Sequence, residues 1–380
     1  MSSMLDAIRN AAQNRDTFRD AARSGNLKVI FSLVGPALRG FVLQKGKQSE
    51  AIDIQSAGQA HFDWNYGGDR PDLVKLYENA KRNQWNGSDL AWRTTVDPHD
   101  PATELLADWA VPIRDLPAYR ALPRQEQEVQ KAKILAWLLS QFLHGEQGAL
   151  FAACQVTVSA HSGDAKLYGS SQVVDEGRHV EVFNRYLVEK LEKRYLINDN
   201  LYVILDALMT DSRWDMKFLG MQILIEGLAL GAFGTLREAT REPLLRDLLR
   251  RVIADEARHV HFGVLALEGY FTRELSEADR REREDWAYEI ALFMRNRFLA
   301  HEFYEEYYGH LMSRAAWDRS MLDSDFMRLF RTRMFRRLVP NLRRIGLLSD
   351  RVRPHYAALG LLEYEHEPSA PELSAEDLLG

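Results

Sequence analysis

Two nearly identical stretches constrain what this chain of 380 residues can fold into. The first is VVDEGRHVEVF at residues 173–183, and the second is IADEARHVHFG at residues 253–263. Each places Asp-Glu-x-Arg-His inside a run that otherwise reads as a buried helix. Charged groups are costly to bury unless they are paired or bind a metal. The two copies therefore require one common explanation.

The spacing inside each copy favours a metal site. Residues three apart lie on one face of a helix, so Glu176 and His179 point the same way. Glu256 and His259 do the same in the second copy. Each Glu-x-x-His pair can hold a metal ion, although Glu and His at this spacing also occur on ordinary helix surfaces.

A lone carboxylate precedes each pair by thirty residues, Glu146 in QFLHGEQGALFAAC and Glu226 in MQILIEGLALGAF. From each Glu the helix runs about 14 residues to a turn, AHSGD or TREP, and about 13 residues lead back to the Glu-x-x-His pair. Both hairpins therefore present Glu level with Glu-x-x-His on antiparallel helices. Docked face to face, they assemble four Glu and two His, the ligand set of di-iron and di-manganese carboxylate bundles.

Charge supports the same interpretation. Four carboxylates around one point repel one another unless cations neutralise them, and two divalent ions supply the required +4. Oxygen ligands with two imidazoles suit iron or manganese. A ligating imidazole usually donates its second N–H to a carboxylate. We predict that Asp175 serves His259 and Asp255 serves His179, with Arg178 and Arg258 balancing the two aspartates.

Apolar residues recur at three-and-four spacing along nearly the whole chain, which predicts an all-α fold. Four long helices are expected at about 126–160, 164–194, 212–239 and 243–270, packed as a four-helix bundle core at about 126–272. Further helices are expected on the N- and C-terminal sides, within one domain at 1–364. The acidic, proline-bearing segment 365–380 is expected to be a flexible tail.

Composition excludes several classes of function. The net charge of −6 argues against a dedicated nucleic-acid binder. The apolar run at residues 29–43 contains Arg39 and is too short for a membrane span, so no membrane association is expected. The N-terminus lacks the pattern of an export signal. A single cysteine, Cys154, is expected to be a small core residue and fits a cytoplasmic protein.

Glu146, DEGRH, Glu226 and DEARH together resemble the ferritin-like, ribonucleotide-reductase-like superfamily. The doubled pentad is most similar to multicomponent monooxygenase hydroxylases and acyl-carrier-protein desaturases, and the match spans about 115 residues. LYENAKRNQWNGSDLAW also resembles the Trp-bearing segment that precedes the bundle in several of these families. The resemblance implies a non-haem di-iron centre, with Mn/Fe as an alternative, that uses O2 and electrons from an external ferredoxin or reductase. It also implies a small-molecule or carrier-bound substrate, which is hydroxylated, desaturated or N-oxygenated, and a homodimer.

Two alternatives stay open. The radical-bearing reductase subunit generally has a tyrosine four residues after the first ligand histidine, where this chain has Phe183, although Tyr186 is close by. The threonine that often follows the third Glu is absent from GLALGAF, and Gln222 stands where N-oxygenase relatives have a seventh ligand histidine. A ferritin-type ferroxidase or storage protein is the second alternative, but such proteins are shorter single bundles.

Secondary features carry weaker predictions. Small residues crowd the ligands and indicate either a pocket for O2 and substrate or close helix packing. They are Gly145, Gly148, Gly177, Gly227, Gly231 and Ala257. His144 and His261 are expected to be packing or surface residues. The seven arginines from Arg328 to Arg344 form a solvated helix face or a docking surface for an acidic partner.

Overall fold

The computed structural model describes residues 4–15, 25–98, 100–374 and 377. No strand occurs in this part of the chain. Its α-helices are α1 (Met4–Gln13), α2 (Leu27–Ala37), α3 (Pro71–Arg82), α4 (Pro117–Arg120), α5 (Arg124–Ser159), α6 (Gly163–Tyr186), α7 (Asp199–Thr210), α8 (Trp214–Phe218), α9 (Glu226–Ala239), α10 (Pro243–Arg273), α11 (Glu277–Asn296), α12 (His301–Tyr307), α13 (Arg314–Asp323), α14 (Asp325–Arg344) and α15 (Arg353–Ala358). Segments of π-helix span Leu38–Val42, Leu187–Leu191 and Leu219–Ile225. Short 3-10 turns span Lys45–Lys47, Gly87–Asp89, Pro101–Thr103, Asp108–Ala110, Arg297–Leu299, Leu362–Tyr364 and Ala370–Glu372.

A four-helix bundle forms the core. Helix α5 packs along α6, and α9 packs along α10, while α6 also contacts α10 and closes the two hairpins on each other. Helix α3 covers α6 and α10 on one side, and α14 covers α9 on the other. The predicted all-α fold, a four-helix bundle with added helices on both sides, is confirmed.

Local sequence explains where the hairpins turn. Ser162 caps α6, because its side chain accepts a hydrogen bond from the backbone N–H of Ala165 at 3.2 Å. Glu242 caps α10 by accepting from the N–H groups of Leu244 and Leu245 at 2.8 and 2.6 Å. Pro243 then occupies the first helical position, where no N–H is needed. Both caps lie at the predicted turns, so the arms of the two hairpins have the expected lengths.

Two features of the bundle differ from the prediction. Helix α7 lies between the second and third long helices, and no helix is predicted there because nearly every residue of Leu201–Met209 is buried and no amphipathic period shows. The predicted third helix is also not uniform. Its seven residues Leu219–Ile225 form a π-helical segment that ends directly before Glu226. Such segments are frequent at functional sites.

The segment after residue 364, for which a flexible tail at 365–380 is predicted, makes contacts in the part that the structure describes. As far as residue 374 it lies against α14, where Ala370 N–H donates to Asn341 Oδ1 at 2.8 Å. Arg344 donates to Ser369 Oγ at 2.9 Å, and Ser369 is buried. Residues 375, 376 and 378–380 lie outside the described residues. Arg336 pairs with Glu367, so one charge of the segment is used in a contact with the arginine-rich helix.

Two helical stretches have the length and composition of a membrane span, Leu27–Lys47 and Trp214–Ala239. The second is 89% buried and is a central helix of the bundle. The first is 33% buried, and its Arg39 donates to Asp206 of α7 at 2.6 Å. Length and composition of this kind are also found in core helices of soluble proteins.

Candidate metal centre

The six predicted ligands converge at the middle of the bundle. Their donor atoms form two groups, and within each group the atoms lie within 4.8 Å of one another. One group is Glu146, Glu176, His179 and Glu256, and the other is Glu176, Glu226, Glu256 and His259. Glu176 and Glu256 belong to both groups. The arrangement is that of two adjoining sites that share two carboxylates.

Each imidazole turns its Nδ1 atom toward the carboxylates. His179 Nδ1 lies 3.3 Å from Glu146 Oε2 and 3.2 Å from Glu256 Oε1. His259 Nδ1 lies 3.1 Å from Glu176 Oε1 and 3.5 Å from Glu256 Oε2. The two histidines therefore occupy equivalent places in the two groups, as the repeated sequence predicts.

Unpaired buried atoms show that the chain alone does not satisfy this cluster. Glu176 Oε2, Glu226 Oε2, Glu256 Oε2 and His259 Nδ1 have no hydrogen-bond partner among the described residues. The side chains of all six residues are at most 6% exposed, so bulk water does not solvate them. A buried carboxylate without a partner is costly unless a cation is bound. Two divalent cations fit this donor set in charge and in ligand type.

Electrostatics inside the cluster point the same way. Burial raises the pKa of Glu146 to about 8 and the pKa of Glu226 well above its usual value, and the charge of Glu256 adds to both. Burial by itself would lower the pKa of His179, but the carboxylates of Asp255 and Glu146 raise it well above the usual value. Without a cation, these shifts favour the protonated forms of Glu146, Glu226 and His179. Cation binding should release those protons and strengthen as the pH rises.

The aspartates hold the histidines crosswise, as predicted. His179 Nε2 lies 3.1 Å from Asp255 Oδ2, and His259 Nε2 lies 3.3 Å from Asp175 Oδ2. Each histidine on one hairpin is therefore oriented by an aspartate on the other. Arg178 pairs with Asp175 and lies 3.1 Å from Asp255. Arg258 pairs with Asp255, so each aspartate and each arginine of the two pentads has an opposite partner.

The turn after α3 supplies contacts that the pentads do not reveal. Trp85 Nε1–H donates to Asp255 Oδ2 at 2.8 Å, and Gln84 Nε2–H donates to Asp175 Oδ1 at 2.9 Å. Arg178 donates back to Gln84 Oε1 at 2.8 Å and stacks with its Cζ 4.6 Å from the Trp85 ring centre. The likeness of LYENAKRNQWNGSDLAW to a bundle-preceding segment is the one sequence signal that points to these residues.

Gln172 is a second residue that sequence reasoning missed. Its amide donates to Glu226 Oε1 at 2.9 Å and to Glu176 Oε1 at 3.2 Å. No seventh ligand histidine is expected at position 222, which Gln222 occupies. The amide of Gln222 donates to Gln172 Oε1 at 3.3 Å. These two amides close the cluster on the side of α6 and the π segment. Gln172 stands four residues before Glu176, so helical spacing could have indicated it.

Some of the small residues near the ligands permit close helix packing, and others border open space. A Cβ atom on Gly148 or Gly231 would overlap Leu205 or the backbone of Arg333, so these glycines permit close helix packing. A Cβ on Gly145 or Gly177 would meet nothing within 4 Å. Gly145 borders a cavity of about 20 Å³ that also touches ligand carboxylates. That volume holds roughly one water-sized molecule.

Other candidate residues are structural. His144 Nε2 lies 2.9 Å from Tyr195 O, and His261 is partly buried outside the ligand set. The prediction that Cys154 is a core residue is wrong, because its side chain is exposed. In the arginine-rich helix, Arg333 donates to Glu238 and Arg336 to Glu367, each at 2.5 Å. These two charges are already paired within the chain.

Comparisons with known proteins give limited similarity. No family model matches the chain, and no curated protein matches it. Solved structures of R2-like ligand-binding oxidases do match. One with an aerobically reconstituted metal cofactor after photoconversion shares 17% identity over 74% of this chain and 95% of its own, with a TM-score of 0.47. A mutant with an anaerobically reconstituted Mn/Fe cofactor shares 18% identity over the same fractions, with a TM-score of 0.49. Sequence identities and TM-scores this low do not support assigning the function of these oxidases to this chain.

Proposed function

We propose that this chain is an O2-dependent oxidoreductase whose centre holds two iron ions, with Mn/Fe as the alternative that the same ligands accept. One observation carries the proposal, namely two adjoining buried donor groups that share Glu176 and Glu256. Two such ions, when bound, supply electrons for the reduction of O2 coupled to oxidation of an organic substrate. A single structural ion would not need six ligands and two orienting aspartates.

The protein residues divide the work of holding this centre. Glu146 and His179 serve one position, and Glu226 and His259 serve the other. The crosswise aspartates keep each Nδ1 directed inward, because each Nε2 proton is already committed to a carboxylate. Full burial excludes bulk water from the carboxylates and strengthens their attraction for cations.

Electrons and substrate are proposed to reach the centre from different sides. Trp85 is half-buried, and its contact with Asp255 continues to His179, so a hydrogen-bonded path joins the segment after α3 to the ligands. An external donor of ferredoxin or reductase type would use that side. The cavity beside Glu146 lies on the other side of the ligands, toward α9 and α11. A small-molecule or carrier-bound substrate would be oxidised there, and a homodimer is expected.

A stable tyrosyl radical is less well supported. Phe183 is fully buried and stacks on Phe233 with ring centres 5.8 Å apart, so no phenol lies one turn after His179. Tyr186 donates its hydroxyl hydrogen to Glu242, the cap of α10, at 2.9 Å, and contacts no ligand through that group. Its role in the structure is therefore to link two helices.

Metal content and O2 uptake test the proposal. The purified chain should hold about two iron ions per chain, Glu176→Ala should lose both, and Glu146→Ala should retain about one, since Glu146 belongs to a single donor group. Glu181→Ala, an exposed position on the same helix, is the matched control and should retain both. The reduced wild-type protein should then consume O2 rapidly.

Three results would contradict the proposal. Retention of two ions by Glu176→Ala would show that the metals bind elsewhere. A wild-type protein that binds no iron or manganese would make the doubled pentad an ion-pair network. Uptake of many irons per chain, without O2 consumption that depends on an organic substrate, would favour the storage alternative.

A further inference from the structure

Helix α2 is apolar on two opposite faces. Its inner face buries Val29, Leu33 and Ala37 in the core. Its outer face carries a second stripe of large apolar side chains, each at least half exposed. This outer stripe consists of Leu27, Phe31 and Val34, followed by Leu38 in the π-helical segment that continues the helix. A spacing of four, three and four residues places them on one side, and such a stripe normally packs against another element.

Helix α1 also turns its large apolar side chains outward. The outward side chains, each more than half exposed, are Met4, Leu5 and Ile8. Its inner face is polar instead. Asn10 and Asn14 are buried there, and they donate to the backbone oxygens of Val42 and Phe41, each at 3.2 Å. Both oxygens belong to the π-helical segment after α2, so these hydrogen bonds hold α1 with its apolar face away from the core.

Positive charge accompanies these apolar faces. The whole chain has a net charge of −6, yet residues 4–15 and 27–47 contain six basic residues and only one acidic residue, Asp6. Arg39 and Lys47 pair with carboxylates of the protein body. The other four are exposed, namely Arg9, Arg15, Lys28 and Lys45. The exposed apolar stripes therefore lie in a locally basic part of an acidic protein.

Two of the exposed basic residues have acidic neighbours. Arg9 pairs with Asp6, and Lys28 lies 3.6 Å from Glu282. The side chains of Arg9 and Lys28 are nevertheless 66% and 68% exposed, and exposed ion pairs contribute little free energy. Both cations can therefore exchange these neighbours for anionic groups outside the protein.

The surface of an anionic lipid bilayer matches this combination. Helices that lie in the membrane interface bury an apolar face among the lipids and keep Lys and Arg near the headgroups. Anionic headgroups attract such basic residues. A second copy of the chain matches less well, because a two-fold contact sets one surface against itself and would bring like charges together.

We propose that the outer faces of α1 and α2 dock this protein reversibly on the surface of an anionic lipid bilayer. The segment Leu27–Lys47 would lie along the bilayer without crossing it, since its inner face is packed in the core and Arg39 pairs with Asp206 at 2.6 Å. The sequence predicts no membrane association because it offers no span, and binding at the surface needs none. The inference goes beyond the proposed oxidoreductase function and does not depend on the metal centre.

Sedimentation with lipid vesicles tests the proposal. The probes are vesicles of phosphatidylcholine alone and vesicles of phosphatidylcholine and phosphatidylserine in equal parts. The wild-type protein should bind the anionic vesicles at least about tenfold more tightly than the neutral ones, and added salt should weaken this binding. V34D and L5D should each weaken it at least about tenfold, because each removes an apolar group that enters the bilayer. K28Q/K45Q should weaken binding to the anionic vesicles by about tenfold and leave binding to the neutral ones unchanged.

V188D is the matched control for V34D. Val188 lies in a different π-helical segment, Leu187–Leu191, and is 57% exposed, compared with 53% for Val34. The same exchange there should leave vesicle binding at the wild-type level. Equal losses in V34D and V188D would overturn the proposal, because binding would then not depend on this face. A wild-type protein that stays in solution with both kinds of vesicle would overturn it as well.

Sedimentation equilibrium without lipid tests the other occupant. A wild-type dimer that V34D converts to a monomer, with no vesicle binding, would make this face a contact between copies and would overturn the proposal. Circular dichroism and metal content of V34D should match the wild type, and if V34D does not fold, L5D decides the question in the same assays. A wild-type protein that binds vesicles but no metal would contradict the oxidoreductase function and leave membrane docking supported.

Discussion

Replacing Asp255 by asparagine should weaken metal binding at one of the two positions and leave the other nearly unchanged. Asp255 lies 3.1 Å from His179 Nε2, and His179 belongs to only one donor group. His259 is oriented by Asp175 instead. The neutral amide of asparagine can present either an acceptor or a donor to His179, so the inward direction of Nδ1 is no longer enforced.

The magnitude follows from the contacts that are lost. Removing the hydrogen-bond partner of a ligand histidine typically costs about 10-fold to 100-fold in metal affinity, or about 1.4 to 2.7 kcal/mol. Asp255 also pairs with Arg258 and lies 3.1 Å from Arg178, and both arginines are buried. Breaking a buried pair by removing one charge costs about 3 to 5 kcal/mol of folding free energy. The metal-free variant should therefore unfold at lower denaturant concentration as well.

Chelator competition with Mn²⁺, analysed for two sites, measures the first effect, and urea unfolding of the metal-free protein measures the second. Asp175→Asn is the mirror variant and should weaken the position of His259. Trp85→Phe removes one donor to Asp255 but keeps the charge, so both affinities should stay close to wild type. If Asp255→Asn and Asp175→Asn weaken the same position, or neither position, the crosswise orientation of the histidines has no bearing on metal binding.

Gly231→Ala should lower the free energy of unfolding, measured in urea, by about 1 to 3 kcal/mol, because the added Cβ would overlap the backbone of α14. Gly145→Ala is the control, because its Cβ would lie in open space and the free energy of unfolding should change little. Burial raises the pKa of Glu302, but Lys47 and its other partners outweigh this and lower it to about 2 from 4.5. The ion pair between Glu302 and Lys47 therefore stabilises the fold above about pH 4.5, and this stabilisation is lost as the pH falls toward 2. Glu302→Gln should be less stable than the wild type by about 3 kcal/mol at pH 7. Its stability should also lack the decrease between pH 4.5 and pH 2 that acid unfolding curves of the wild type should show. Tyr186→Phe removes the hydrogen bond to Glu242 and should lower the free energy of unfolding by about 1 to 3 kcal/mol. Metal content and O2 uptake should stay unchanged. A radical signal in electron paramagnetic resonance that is present in the wild type and lost in this variant would instead support the radical alternative.

The six donor residues could be predicted from sequence because their spacing repeats. A fixed distance of thirty residues and equal helical arms determine which side chains meet, and both are properties of local chain geometry. The crosswise contacts of Asp175 and Asp255 follow from the same symmetry. Because the spacing of the ligands repeats, this part of the tertiary arrangement could be predicted from a single sequence.

The rest of the site depends on contacts that have no period. Trp85 meets Asp255 from a segment 170 residues away, and Arg297 reaches the cavity from the end of α11. Arg297 does not stand out among the other arginines of the chain, and Trp85 is indicated only by the likeness of its segment to one that precedes the bundle in related families. The π segment before Glu226 is equally hidden, because a continuous apolar run has the same composition whether its turns are regular or widened. Such features arise from packing between distant segments.

The crosswise arrangement also has a consequence for how the ions would leave. Glu146, Glu176 and His179 come from one hairpin, Glu226, Glu256 and His259 come from the other, and neither hairpin contains both a histidine and the aspartate that orients it. The six ligand side chains are at most 6% exposed, so a chelator in solution has little access to them. Exchange of bound metal should therefore require separation of the hairpins, so the rate at which an isotope exchanges would report how often the closed protein opens.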